Sequence, residues 1–104
     1  MAEVTLNNDN FKAETSSGVV LVDFWAPWCG PCLAMMPVVE EITKDYKSKA
    51  KVGKLNIDEN PETAQKFGVM SIPTFKILKD GQEVGSLTGA VGKDKIVEEL
   101  DKAL

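Results

Sequence analysis

At 104 residues the chain is long enough for one hydrophobic core and too short for two, so a single domain over 1–104 is expected. Twelve Lys, no Arg, no His and two Cys exclude imidazole general-base chemistry, Ser-His-Asp triads, His-ligated metals and the bidentate Arg fork, which leaves proton transfer to Asp, Glu, Lys, Tyr, Cys or water. Sixteen acidic residues set the formal net charge at -4, the opposite of the basic stripe of a nucleic-acid binder, so no nucleic-acid partner is expected.

The segment Met1 to Asn10 carries Glu3 and no apolar stretch of the kind a secretory leader needs. Val4-Thr5-Leu6 is a short strand candidate, and Asn7 or Asn8 can cap a helix running to about Thr15 with Phe11 facing inward. After Ser16-Ser17-Gly18 comes Val19 to Ala26, apolar at both alternating sets of positions except for Asp23, the pattern of a central strand covered on two sides. Its aliphatic run Val19 to Val22 is far short of the ~20 residues of a membrane span, so no membrane association is expected and the protein reads as cytoplasmic.

From Cys29 or Gly30 to Tyr46, Leu33, Met36, Val39, Ile42 and Tyr46 recur at helical spacing, with Pro37 expected to kink the helix. Lys51 to Ile57 is a second core strand, followed by a helix with Asn60 at its N-cap and Pro61 at its first position, ending at Phe67-Gly68. Asp80-Gly81 joins strands Thr74 to Lys79 and Glu83 to Thr88 into an antiparallel hairpin. Lys93 to Leu104 closes the chain as a helix with Ile96, Val97, Leu100 and Leu104 on one stripe. This order implies an α/β fold, a mixed sheet with helices on both faces in three layers.

Cys29-Gly30-Pro31-Cys32 falls where the central strand hands over to the long helix. Unpaired N–H groups at the helix start favour the thiolate of Cys29, and the i, i+3 spacing on one turn brings the sulfurs within easy reach of a reversible disulfide. The competing reading is zinc. A structural site wants four Cys or His ligands and this chain has two Cys and no His, so metal is the weaker alternative and no cofactor beyond the disulfide is expected. Inert buried thiols are a third possibility, disfavoured by Gly-Pro between the pair and by the loop-to-helix junction. A reducing compartment also argues against a purely structural disulfide.

The run Phe24-Trp25-Ala26-Pro27-Trp28-Cys29-Gly30-Pro31-Cys32, with Lys54-Leu55-Asn56-Ile57-Asp58, Ser71-Ile72-Pro73-Thr74 and Gly89, resembles the thioredoxin family over essentially the whole chain. The Trp-Cys-Gly-Pro-Cys run together with the distant Ile-Pro-Thr is specific, where a lone Cys-x-x-Cys would be weak. The resemblance implies a thioredoxin fold, a mixed five-stranded sheet flanked by four helices. It implies a protein-disulfide reductase working by thiol exchange, recycled by a thioredoxin reductase and acting on client proteins with disulfides as a monomer.

The resemblance also assigns roles. Cys29 is the nucleophile and Cys32 the resolving thiol. Asp23, six residues before Cys29 on the core strand, takes the proton of Cys32 through a water; burial raises a carboxyl pKa toward the useful range. An edge strand would instead leave Asp23 an ordinary surface charge. Lys54 lies close to this Asp and opposes the rise, unless it is simply an exposed Lys. Pro73 resembles the family's cis-proline, facing the disulfide so that Ile72 pairs with an extended client segment; an ordinary trans proline at a strand start is the alternative. Trp28, beside an exposed Cys29, is partner surface with Gly30 and Pro31, Trp25 is packing, and Gly89 permits close backbone approach near the site.

Two positions depart from the family: Leu33 and Met70 stand where basic residues are frequent. If exposed, they make an unusually apolar rim and partner binding that depends less on salt; Leu33 could equally belong to the core stripe. A binding or assembly module that uses this rim around Trp28 and Pro73 without its thiols is the alternative function.

Overall fold

The chain runs through β1 (Val4–Leu6), α1 (Phe11–Thr15), β2 (Val19–Trp25), α2 (Gly30–Ala34), α3 (Met36–Asp45), β3 (Lys51–Asn56), α4 (Pro61–Lys66), β4 (Thr74–Lys79), β5 (Gln82–Thr88) and α5 (Lys93–Ala103). This computed structural model describes residues 3–104; Met1 and Ala2, which begin the segment read as leaderless and the expected domain, lie outside the described residues. The sheet order is β1-β3-β2-β4-β5, with β1, β3 and β2 parallel, β4 antiparallel to β2 and β5 antiparallel to β4. The mixed sheet of the α/β expectation is therefore present. α2 and α3 are two parts of one broken helix, so four helical units flank the five strands.

The two-sided apolar pattern of β2 has a direct structural cause. One sheet face packs Leu21, Val52, Phe75 and Ile77 against Val39 and Ile42 of α3 and Ile96 and Leu100 of α5. The other packs Val20, Val22, Phe24 and Leu55 against Phe11 of α1 and Ala64 of α4. Every residue of β2 except Trp25 is buried, as a strand between two helical layers must be. Tyr46 and Lys93 join α3 to α5 at the periphery: the Tyr46 hydroxyl donates to Asp101 Oδ1 at 2.8 Å, and Lys93 Nζ to Glu41 and Asp45.

Several boundaries and faces differ from the sequence expectation. α1 begins at Phe11 because Asn7 caps an earlier turn, its Oδ1 accepting from the N–H groups of Asp9 and Asn10. Asn60 stands at the N-cap of α4, but its side chain accepts from Asn8 N–H and so ties the two loops together. The long helix breaks at Met35, where Pro37 supplies no N–H to the Leu33 carbonyl one turn back. That break rotates the apolar stripe: Met35 is buried and Leu33 is 43% exposed. In α5, Ala103 takes the buried place expected of Leu104, which lies past the helix end and is exposed.

The Asp80-Gly81 turn has φ of 52° and 87°, the left-handed pair of a type I′ hairpin. β5 begins at Gln82 and carries a bulge at Val84, since Ile77 pairs with Gly85 and Leu78 with Glu83.

The rotated stripe is testable. Met35→Ala is expected to cost about 2 to 4 kcal/mol in a urea melt through the cavity it leaves. Leu33→Ala should stay within about 0.5 kcal/mol of the parent.

Candidate active site

β2 ends at Trp25, and Ala26-Pro27-Trp28 leads into α2 with Cys29 at its N-cap. Cys29 has extended backbone (φ -86°, ψ 105°), and its Sγ accepts the Cys32 N–H at 3.1 Å. The sulfur thus occupies the place that a Ser or Asp oxygen takes in an ordinary cap, satisfying one of the donors that a helix start leaves free. Cys29 and Cys32 are disulfide-bonded with Cα atoms 5.2 Å apart. Both residues are buried, Cys29 at 4% exposure, which corrects the expectation of an exposed Cys29. They form a small apolar cluster with Ala26, onto which Trp25, Ile57 and Ile72 pack. Exposed Trp28, Gly30 and Pro31 frame it.

The Ile72–Pro73 peptide bond is cis, and Ile72 lies against the disulfide cluster. The Pro73 carbonyl accepts the Gly89 N–H at 2.8 Å, which joins the Pro73 loop to the end of β5. Gly89 has φ of 93° and nothing within 4 Å of where a Cβ would stand. Its value is therefore the left-handed backbone and not the close approach expected of it.

Trp28 is 68% exposed, and its indole N–H donates to Asp58 Oδ2 at 2.8 Å. Asp58 is in turn held by Asn56, whose Oδ1 accepts the Asp58 N–H. Trp28 and Met70, the latter 97% exposed, border a groove of about 280 Å³ with Ile57, Val69, Ser71 and Ile72. No charged side chain lines it.

Asp23 is 2% exposed, and its Oδ1 finds no hydrogen-bond partner. In the sheet it pairs with Lys54 on β3 and Phe75 on β4. Burial pushes the Asp23 carboxyl up from 3.8 to about 7; Lys54 pulls against the rise and Glu3 adds to it. Lys54 is half-buried, with its ammonium 5.0 Å from the centre of the Trp25 ring. A larger cleft of about 410 Å³, between the ends of β1, β3 and β2, is lined by Lys54 and Trp25 and by neither Cys.

The thioredoxin family model matches residues 2–102. The chain is 51% identical over 104 residues to the thioredoxin of Staphylococcus aureus and 52% identical to that of Staphylococcus haemolyticus, each match covering the whole of both chains. The chain belongs to the thioredoxin family. It is a protein-disulfide oxidoreductase, and dithiol–disulfide exchange at Cys29 and Cys32 is its chemistry. Thioredoxin family members act with a thioredoxin reductase and disulfide-bearing clients. Among the described residues, no group of three or more His, Cys, Asp or Glu is placed to hold a metal ion, and no helix is long and apolar enough to cross a membrane.

In this thioredoxin-family site the structure brings Cys29, Cys32, Trp25 and Ile72 into one cluster, with Pro73 and Gly89 joined beside it. Asp23 and Lys54 stand together in the sheet. Sequence reasoning assigned no part to Asp58 or Glu3. The Asn-Ile-Asp run contained Asp58, but the only signal for its contact with Trp28 is spatial, across 30 residues.

Asp23 makes stability depend on pH. The unfolded chain loses this proton near pH 4 and the folded chain only near 7, so stability falls as pH rises between them, by about 1.4 kcal/mol per pH unit. The deficit persists above 7. Asp23→Ala is expected to exceed the parent by about 2 to 4 kcal/mol in urea melts of the oxidised protein at pH 8, and to lose most of that advantage at about pH 4.5.

Proposed function

We propose that the chain acts as a general protein-disulfide reductase in the cytoplasm, as a monomeric single domain over 1–104, with a thioredoxin reductase returning it to the dithiol form. Cys29 attacks one sulfur of a client disulfide as thiolate. The client S–S bond breaks, a mixed disulfide forms and the other client sulfur leaves as a thiol after taking a proton. Asp23 accepts the Cys32 proton, Cys32 attacks Cys29, and the second client thiol is released. Two electrons pass to the client and the Cys29–Cys32 disulfide remains.

The observation that carries this assignment is the cap geometry. The Cys32 N–H points at the Cys29 sulfur, and a donor in that position stabilises a thiolate more than a thiol. A buried carboxyl with a free oxygen and a pKa near 7 supports Asp23 as acceptor, because a base works best when its pKa lies near the operating pH. Lys54 limits the rise, which favours an ionised fraction at neutral pH. Trp28, Gly30, Pro31, Ile72, Pro73 and Gly89 form the client surface, the exposed ones as contact and the others as its frame.

Cys32→Ser decides between this reaction and a thiol-independent binding module. The variant should accumulate client proteins linked through Cys29, visible as bands that collapse on reduction, and its turnover with NADPH and a thioredoxin reductase should fall to the uncatalysed rate. A binding module would keep its partner and form no such bands.

The apolar rim leads to a second expectation. Between about 10 mM and about 1 M salt, where screening lengths fall from ~30 to ~3 Å, client turnover should change less for this protein than for the Leu33→Lys, Met70→Arg double variant. Equal slopes would remove Leu33 and Met70 from partner recognition.

A further inference from the structure

Asp23 on β2, Lys54 on β3 and Thr5 on β1 form one row across the sheet. Side chains alternate along a strand, so Glu3, two residues before Thr5, falls on the same side as Asp23 and Lys54. Thr5 stands two strand spacings, about 10 Å, from Asp23, and Glu3 is a further two residues along the chain, so about 12 Å separates its backbone from that of Asp23 and the Glu side chain shortens the gap. Among the described residues only two side-chain oxygens are shut off from solvent without a hydrogen bond, Asp23 Oδ1 and Glu3 Oε2. Both are on this face.

The other surroundings of Asp23 are nearly free of charge. Phe75 stands opposite on β4, and the helical layer over this face presents Met35, Val39, Ile42, Ile96 and Leu100. Tyr46 is the one titratable residue in that buried cluster, and its hydroxyl is held by Asp101; the carboxylates and lysines of α3 and α5, Glu41, Asp45 and Lys93 among them, lie at the periphery. The disulfide carries no charge. Lys54 and Glu3 are therefore the two formal charges that Asp23 meets.

We propose that Glu3 is a positioning residue for the redox reaction, its carboxylate offsetting the charge of Lys54 at Asp23 and so setting the protonation state that Asp23 brings to the Cys29–Cys32 pair. The inference rests on the reading of Asp23 as proton acceptor. Glu3 acts by repulsion of an ionised Asp23, which opposes the pull of Lys54. It holds the proton on Asp23 to higher pH, the direction in which Glu3 moves the carboxyl.

The test compares the parent with Glu3→Gln and Glu3→Asp, each verified as folded by its amide spectrum. Carbon-13 NMR of the Asp23 carboxyl should show the Glu3→Gln midpoint lowered by about half a pH unit. Glu3→Asp should restore most of the parent value. The acid limb of disulfide-reduction rate against pH should move down with the midpoint in Glu3→Gln and be absent in Asp23→Ala. A midpoint unchanged in Glu3→Gln, or shifted equally in Glu3→Asp, overturns the proposal. A midpoint that shifts while the rate profile stays in place removes Asp23 from the proton transfer, and overturns the proposal as a statement about the reaction.

Discussion

The enclosure of β2 between two helical layers is the constraint on which the site depends. A strand covered on both faces must be apolar throughout, and β2 obeys this at every buried position except Asp23. Keeping a carboxyl there opposes stability, because an ionised group in a poorly solvated interior loses its hydration. The same enclosure that makes Asp23 costly gives it a proton affinity suited to neutral pH. Stability and the proposed proton transfer draw on one physical effect with opposite signs.

The rigidity of β2 also places the redox pair. The strand delivers Ala26 into a buried position, and the chain turns within three residues into α2 with the Cys29 sulfur on its cap. Ile57, at the end of β3, and Ile72, before the cis proline, close on the pair from two other segments. The disulfide is held in a small apolar cluster, and the exposed Trp28 and Met70 border the groove beside it. The contrast between fixed reacting atoms and adaptable surroundings suits an enzyme that accepts many partners.

Much of the fold was legible because periodicity reports burial. The two-sided run in β2, the Asp80-Gly81 turn and the Asn60-Pro61 helix start all appear where local chemistry dictates them. Other positions were not decided by local pattern. Leu33, equally compatible with the core stripe and the exposed rim, is exposed while Met35 is buried, because one missing N–H at Pro37 breaks the helix, an effect that counting residues on a regular helix does not capture. Asn7 spends its side chain on the turn it begins, and Asn60 on the neighbouring loop, instead of on the helices they precede. Gly89 is needed for its dihedral angle, and no local pattern separates that requirement from close packing.

From the sequence by itself came the α/β order, the chemistry available to a chain without His or Arg, and the placing of two Cys on one helical turn. Those follow from residue types and from spacing along the chain, which are local quantities. The tertiary structure decided that Cys29 is buried, that Met70 and Leu33 are exposed, that Asp58 anchors Trp28, and that Glu3 and Lys54 oppose each other across the sheet from Asp23. Solvation and Coulomb interaction act through space between residues far apart in sequence, so these features exist only once the strands have paired.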